Sequence, residues 1–121
     1  MTAHQPETQL KGTAGQIGWA ELIRPIVDAE FHRVSKAFQA VATNQDTTAR
    51  IDTEAILAIL EEKRAETLSN SHAGYFIRDW GELGDQVRQL LAADSRYRAI
   101  KANRESRNRP SEESVYRNQS S

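Results

Sequence analysis

The sequence predicts an all-α fold, a small antiparallel bundle of three main helices with a possible short extra helix at the N-terminal end. Apolar residues recur at the three- and four-residue spacing of a helix face, whereas no alternating run is long enough for a strand. Few residues interrupt the middle of the chain: one proline, Pro25, and three glycines after Gly18, namely Gly74, Gly81 and Gly84.

The length of 121 residues predicts one domain. Residues 1–16 and 104–121 are polar and contain few apolar side chains, which is typical of disordered tails, so the helical domain is expected to span residues 17–103. A core of ~85 residues is small. We therefore expect a homodimer or another protein partner to stabilise it.

The first helix is expected over residues 19–41, with one buried face. The apolar residues assigned to that face are Trp19, Leu22, Ile23, Ile26, Val27, Phe31, Val34, Ala37, Phe38 and Val41. Because an interior proline removes a helical hydrogen bond, either Pro25 lies in the first turn or the helix is kinked there. We prefer the first turn, or a separate short helix before Pro25.

The second helix is expected to begin at Asp52 as N-cap and to bury Ile56, Ile59, Leu60 and Thr67. The third includes the stretch HAGYFIRDWGELG. One continuous helical face holds Phe76, Trp80, Leu83, Val87, Leu90 and Leu91. We interpret this stretch as core, with Gly84 at a close helix contact; a ligand pocket and an irregular loop are the alternatives.

Each predicted helix carries one charged residue where its face predicts an apolar one: Glu30, Lys63 and Asp94. Because a buried charge is costly unless it is paired, we expect Glu30 to pair with Lys63. Such a centre could be structural, or it could be a functional polar site.

The charges are distributed unevenly. Residues 1–95 hold 9 basic and 14 acidic side chains, whereas residues 96–121 hold 7 and 3. We expect the last helix to leave the core near Asp94 and to project as a basic arm that binds a partner. The predicted arm residues are Arg96, Tyr97, Arg98, Lys101, Arg104, Arg107 and Arg109.

No recognisable motif supports catalysis, and we predict no catalytic residue, metal or cofactor. Asp28 and His32 have i,i+4 spacing, which a solvated helix pair explains. The chain has no cysteine, no membrane-length apolar run and no signal peptide, so a cytoplasmic location is expected.

The function predicted from these features is that of a non-enzymatic interaction or regulatory module, whose basic arm contacts an acidic partner or a second subunit. A nucleic-acid-binding regulator that uses the arm over residues 96–109 is the alternative. A third hypothesis is an unrecognised enzyme or ligand binder built around Glu30 and Lys63.

Overall fold

The computed structural model describes residues 9–82 and 84–108, and these residues form five α-helices and no strand. The helices are α1 (Ala14–Ala42), α2 (Thr47–Leu68), α3 (Ala73–Trp80), α4 (Gln86–Ala93) and α5 (Ser95–Asn108). The all-α prediction is confirmed. The predicted antiparallel arrangement of three main helices is not confirmed, because the predicted third helix is divided into α3, α4 and α5. Within the described part of the chain, none of the helices has the length and apolarity to cross a bilayer.

Helix α1 begins at Ala14 because Thr13 and Gln16 form a capping box. The Gln16 backbone N–H donates to the Thr13 hydroxyl at 3.1 Å, and the Thr13 N–H donates to the Gln16 side-chain oxygen at 3.0 Å. Pro25 lies inside this helix, so its predicted first-turn position is wrong. Pro25 is exposed, which lets water satisfy the carbonyl that the missing N–H leaves without a helical donor.

Helices α1 and α2 pack antiparallel. Arg50, near the start of α2, donates to the carbonyl of Ala42 at the end of α1, and Arg24 of α1 donates to the carbonyl of Leu68 at the end of α2. The α2 N-cap is Asp46, whose carboxylate accepts from the Ala49 N–H at 2.8 Å. The prediction that Asp52 caps this helix is therefore wrong.

The core lies where α1, α2, α3 and α4 meet. Phe31 of α1, Leu60 of α2 and Phe76 of α3 are 1% exposed or less, and the rings of Phe31 and Trp80 are 6.0 Å apart. Val87 and Leu91 extend the core into α4. The interpretation of Phe76 and Trp80 as core residues is confirmed.

Helix α3 ends at Trp80, and the chain turns before α4. A side chain at Gly81 would collide with the carbonyl oxygen of Ile77, so glycine is required at this helix end. Among the described residues, a Cβ at Gly84 would meet only the Gln86 side chain, at 3.7 Å. The predicted close helix contact at Gly84 is therefore wrong, and Leu83 lies outside the described residues.

The segment before α1 is attached to the connection between α2 and α3. The Lys11 N–H donates to the Ser71 carbonyl at 2.7 Å, and the Ala73 N–H donates to the Lys11 carbonyl at 2.9 Å. Helical structure extends beyond the predicted boundaries 17 and 103 at both ends. The remaining parts of the predicted tails, residues 1–8 and 109–121, lie outside the described residues.

Candidate functional site

Asp94 is the residue at which the predicted long helix breaks. It ends α4 in an extended conformation, with ψ at 129°, and its carboxylate accepts from the backbone N–H of Arg96 at 2.8 Å. Asp94 thereby caps the N-terminus of α5, where a carboxylate satisfies unpaired N–H groups and the helix dipole. The chain can therefore change direction between α4 and α5 with a connection of a single residue.

The Asp94 side chain is only 7% exposed and lies among charges of both signs. Lys63 of α2 approaches its Oδ2 at 3.1 Å and Arg96 approaches the same oxygen at 2.9 Å, while Arg96 also contacts Glu62 at 2.6 Å. Arg96, and then Lys63, hold the pKa of Asp94 well below its usual range, although burial acts in the opposite direction. Arg96 also lowers the pKa of Glu62. This centre is a set of opposite charges that joins α2 to the start of α5.

Glu30 does not belong to this centre, and the predicted Glu30–Lys63 pair is wrong. Lys63 pairs with Asp94, whereas Glu30 pairs with Arg33 one turn along α1, at 2.9 Å. The hydrogen bond from Arg33 lowers the pKa of Glu30. Of the three residues expected to form a polar centre, the structure brings together Lys63 and Asp94.

The basic helix α5 does not project from the core; it lies along α2. Arg104 donates to the Thr53 hydroxyl and to the Ala49 carbonyl, both at 3.2 Å, and Arg107 pairs with Asp52. The expectation of a projecting arm is therefore wrong, because the acidic surface that α5 meets belongs to its own chain.

The other predicted arm residues have different surroundings. Tyr97 is half-buried and packs against the core together with Ile100. Arg98 and Lys101 are exposed to solvent. Arg109 lies outside the described residues.

A polar groove of about 560 Å³ runs between α1 and α2. Asp28, on one wall, pairs with Arg64, on the other, at 2.6 Å, and this contact raises the pKa of Arg64. His32 also lines the groove. Among the described residues, no group of three or more histidine, aspartate or glutamate side chains could hold a metal ion. Asp28 is thus engaged in an ion pair between helices.

The outer face of α1 is the surface that the sequence interpretation missed. Trp19 is 58% exposed, Leu22 72%, Ile26 44% and Val41 53%. These residues were assigned to one buried face together with Val27, but Leu22 and Ile26 lie about 140° and 100° around the helix from it. We call Trp19, Leu22, Ile26, Ala37 and Val41 the outer stripe of α1.

The signal for this second face was present in the sequence. The apolar residues assigned to α1 spread over about half of the helix circumference, whereas one packed face needs an arc little wider than 100°. An apolar surface on two sides of a helix indicates packing on two sides. Only one of them is covered within the described chain.

No family model, curated protein or solved structure matches this chain.

Proposed function

We propose that this protein is a non-enzymatic interaction module that works as a homodimer, and that the outer stripe of α1 binds the second copy. The observation that carries the proposal is the exposure of Trp19, Leu22, Ile26 and Val41 along one helix that is otherwise well packed. A row of exposed apolar residues with polar neighbours is typical of protein interfaces, and tryptophan is enriched among the residues that contribute most to binding.

The ionisable groups support a binding role over a catalytic one. Asp94, Glu62 and Glu30 each form an ion pair that lowers the pKa of the carboxyl group. A general acid or base works best with a pKa near the working pH, and these three carboxyl groups are shifted in the opposite direction.

The basic arm has a smaller part in this proposal than the sequence suggested. Of the five basic side chains in α5, Arg96, Arg104 and Arg107 pair with acids of the same chain. Within the described residues, Arg98 and Lys101 are the two that form no ion pair, which gives nucleic-acid binding less support than pairing through α1.

Light scattering tests the proposal. The wild-type protein is expected to have about twice the monomer mass of 13.6 kDa at micromolar concentration. Leu22→Glu is expected to give the monomer mass, because a dimer would bury its charge on both copies without a matched partner. The helical circular dichroism spectrum should be unchanged, since Leu22 is exposed.

Ile51→Glu is the matched control. Ile51 is 60% exposed and belongs to α2 rather than to the outer stripe of α1, so this variant should remain dimeric. A monomeric wild type contradicts the homodimer, and dissociation caused equally by both substitutions contradicts the choice of α1 as the interface.

A further inference from the structure

The middle of the outer stripe carries two opposite charges, and they suggest how a second copy would be aligned. We propose that α1 of one copy packs antiparallel on α1 of the other, with the two-fold axis between Glu30 and Arg33. Each Glu30 then faces Arg33 of the partner subunit. This inference rests on the homodimer proposed above and adds its orientation and register.

The spacing of the residues along the outer stripe, including Glu30 and Arg33, is the first support. Taken from the N-terminal end, the positions are Leu22, Ile26, Glu30, Arg33, Ala37 and Val41. The gaps between successive positions are the same whether they are counted from the N-terminal or from the C-terminal end. In an antiparallel pair, two residues therefore lie opposite each other when their numbers add to 63. A two-fold interface requires this kind of self-complementary pattern, because the same patch serves both subunits.

The sizes of the side chains also match across this axis. Leu22 would face the partner's Val41, and Ile26 would face the partner's Ala37. Each pair sets a larger side chain against a smaller one, so the helices can approach at the usual interaxial distance of about 8–10 Å. The matched positions extend over about 29 Å of α1, at 1.5 Å of rise per residue.

The charges decide the orientation. Glu30 and Arg33 form an ion pair within α1, and the Arg33 hydrogen bond that lowers the pKa of Glu30 keeps the carboxyl group ionised at neutral pH. The antiparallel axis sets each carboxylate against a guanidinium of the second copy. A parallel pair in register would instead set Glu30 against Glu30 and Arg33 against Arg33, and like charges at an interface are strongly unfavourable.

The length of the stripe makes the register specific. A shift of one helical turn would place Glu30 opposite an apolar position and would leave Leu22 or Val41 beyond the paired region. In the proposed register, apolar residues face apolar residues and each charged residue faces one of opposite charge. Trp19, which is 58% exposed, would then lie beside the C-terminal end of the partner helix.

A charge-swap experiment tests the register. Glu30→Arg places two arginines on each copy, and Arg33→Glu places two glutamates, so each variant alone is expected to dimerise at least tenfold more weakly than the wild type. Mixing the two variants should restore dimers of mixed composition, because every arginine then faces a glutamate. The double variant Glu30→Arg/Arg33→Glu should dimerise alone, since the swap preserves each opposite-charge contact.

Native mass spectrometry gives the composition of each dimer, and circular dichroism checks that every variant folds. Asp79→Arg and Arg78→Glu serve as the matched control, because this exposed ion pair lies on α3. Each control variant should dimerise as the wild type does, with no preference for mixed dimers.

The outcomes separate the register from the proposed function. A wild-type dimer whose Glu30 and Arg33 variants show no preference for mixed dimers overturns the antiparallel register and leaves the homodimer standing. A wild type that stays monomeric overturns both. An excess of mixed dimers, together with dimerisation of the double variant, supports the register.

Discussion

Helices α1 and α5 both carry side chains suited to binding, but these side chains are contacted by the chain itself in α5 and are left exposed in α1. The arginines of α5 lie against the acids of α2, where Arg96 reaches Glu62 and Arg107 reaches Asp52. The apolar residues of the outer stripe of α1 remain at the surface. The helix that looks like a binding arm is held within its own chain, and the helix that looks like core carries the uncovered surface.

The comparison shows that composition alone does not tell which surface is covered. A basic helix is covered when an acidic neighbour lies within reach, and an apolar face stays exposed when no element is available to pack on it. In this chain α2 has acidic residues at both ends of its contact with α5, and α1 has more apolar surface than its neighbours cover. The predictions below test each side of this contrast.

The largest expected effect is a difference in the free energy of unfolding between substitutions on the two faces of α1. Phe31→Ala should lower the free energy of unfolding by about 3–5 kcal/mol, because the ring is buried and its loss leaves a cavity. Leu22→Ala should change it by about 0.5 kcal/mol or less when the protein is dilute enough to be monomeric, since Leu22 is exposed. Urea unfolding measures both, and similar losses for the two variants would contradict the assignment of Leu22 to the outer face.

The second prediction concerns the attachment of α5 through Asp94. Because the pKa of Asp94 is lower in the folded state than in the unfolded state, its stabilising contribution is present above the ordinary aspartate pKa and is lost as the pH falls below it. Asp94→Asn keeps a good helix cap but removes the charge, so the variant should melt at a lower temperature than the wild type at pH 7.

The two melting curves should approach each other as the pH falls below the ordinary aspartate pKa, because Asp94 is then protonated in the unfolded wild type and the advantage of its ionised folded form shrinks. Thermal unfolding followed by circular dichroism measures this. Glu54→Gln, at an exposed position of α2, is the control and should follow the wild-type profile. A constant difference between Asp94→Asn and the wild type at all pH values would show that the charge of Asp94 does not hold α5.

The smallest effect is spectroscopic and uses the two tryptophans as probes of two regions. Trp80 is 3% exposed and Trp19 is 58% exposed. In Trp80→Phe, the fluorescence of Trp19 should be readily quenched by acrylamide at low protein concentration and less so at high concentration, as the second copy covers α1. In Trp19→Phe, quenching of Trp80 should be weak at every concentration. Concentration-independent quenching of Trp19 would show that it lies outside any dimer interface.

The sequence-based prediction of the fold was correct where a single physical factor, the spacing of apolar residues, determines the structure. Helical spacing correctly places Phe76 and Trp80 in the core. It fails at Asp94, because the same residue fits a continuous helix and a cap between two helices. Only tertiary contacts, such as the ion pair of Asp94 with Lys63, decide between them. Pro25 shows the same limitation, since a 29-residue helix packed on its neighbours tolerates an interior proline that a shorter one would not.

The candidate site was predictable only in part, for a related reason. The basic residues of α5 and their need for an acidic partner follow from the sequence, but the identity of the partner depends on the direction in which the chain turns after Asp94. The outer stripe could have been recognised from the excess width of the apolar surface on α1. Its exposure depends on the number of helices available to pack against it. The spacing of apolar residues along the sequence does not give that number.

The attachment of α5 along α2 also fixes the positions of the two ends of the described chain. Lys11 is bound to Ser71, just beyond the C-terminal end of α2, whereas Arg107 is bound to Asp52 near its N-terminal end. About 24 Å of helix separates residues 52 and 68. A segment that joined residues 11 and 107 directly would therefore need at least about eight residues. Fluorophores attached near both ends would report the release of α5 as a change in energy transfer.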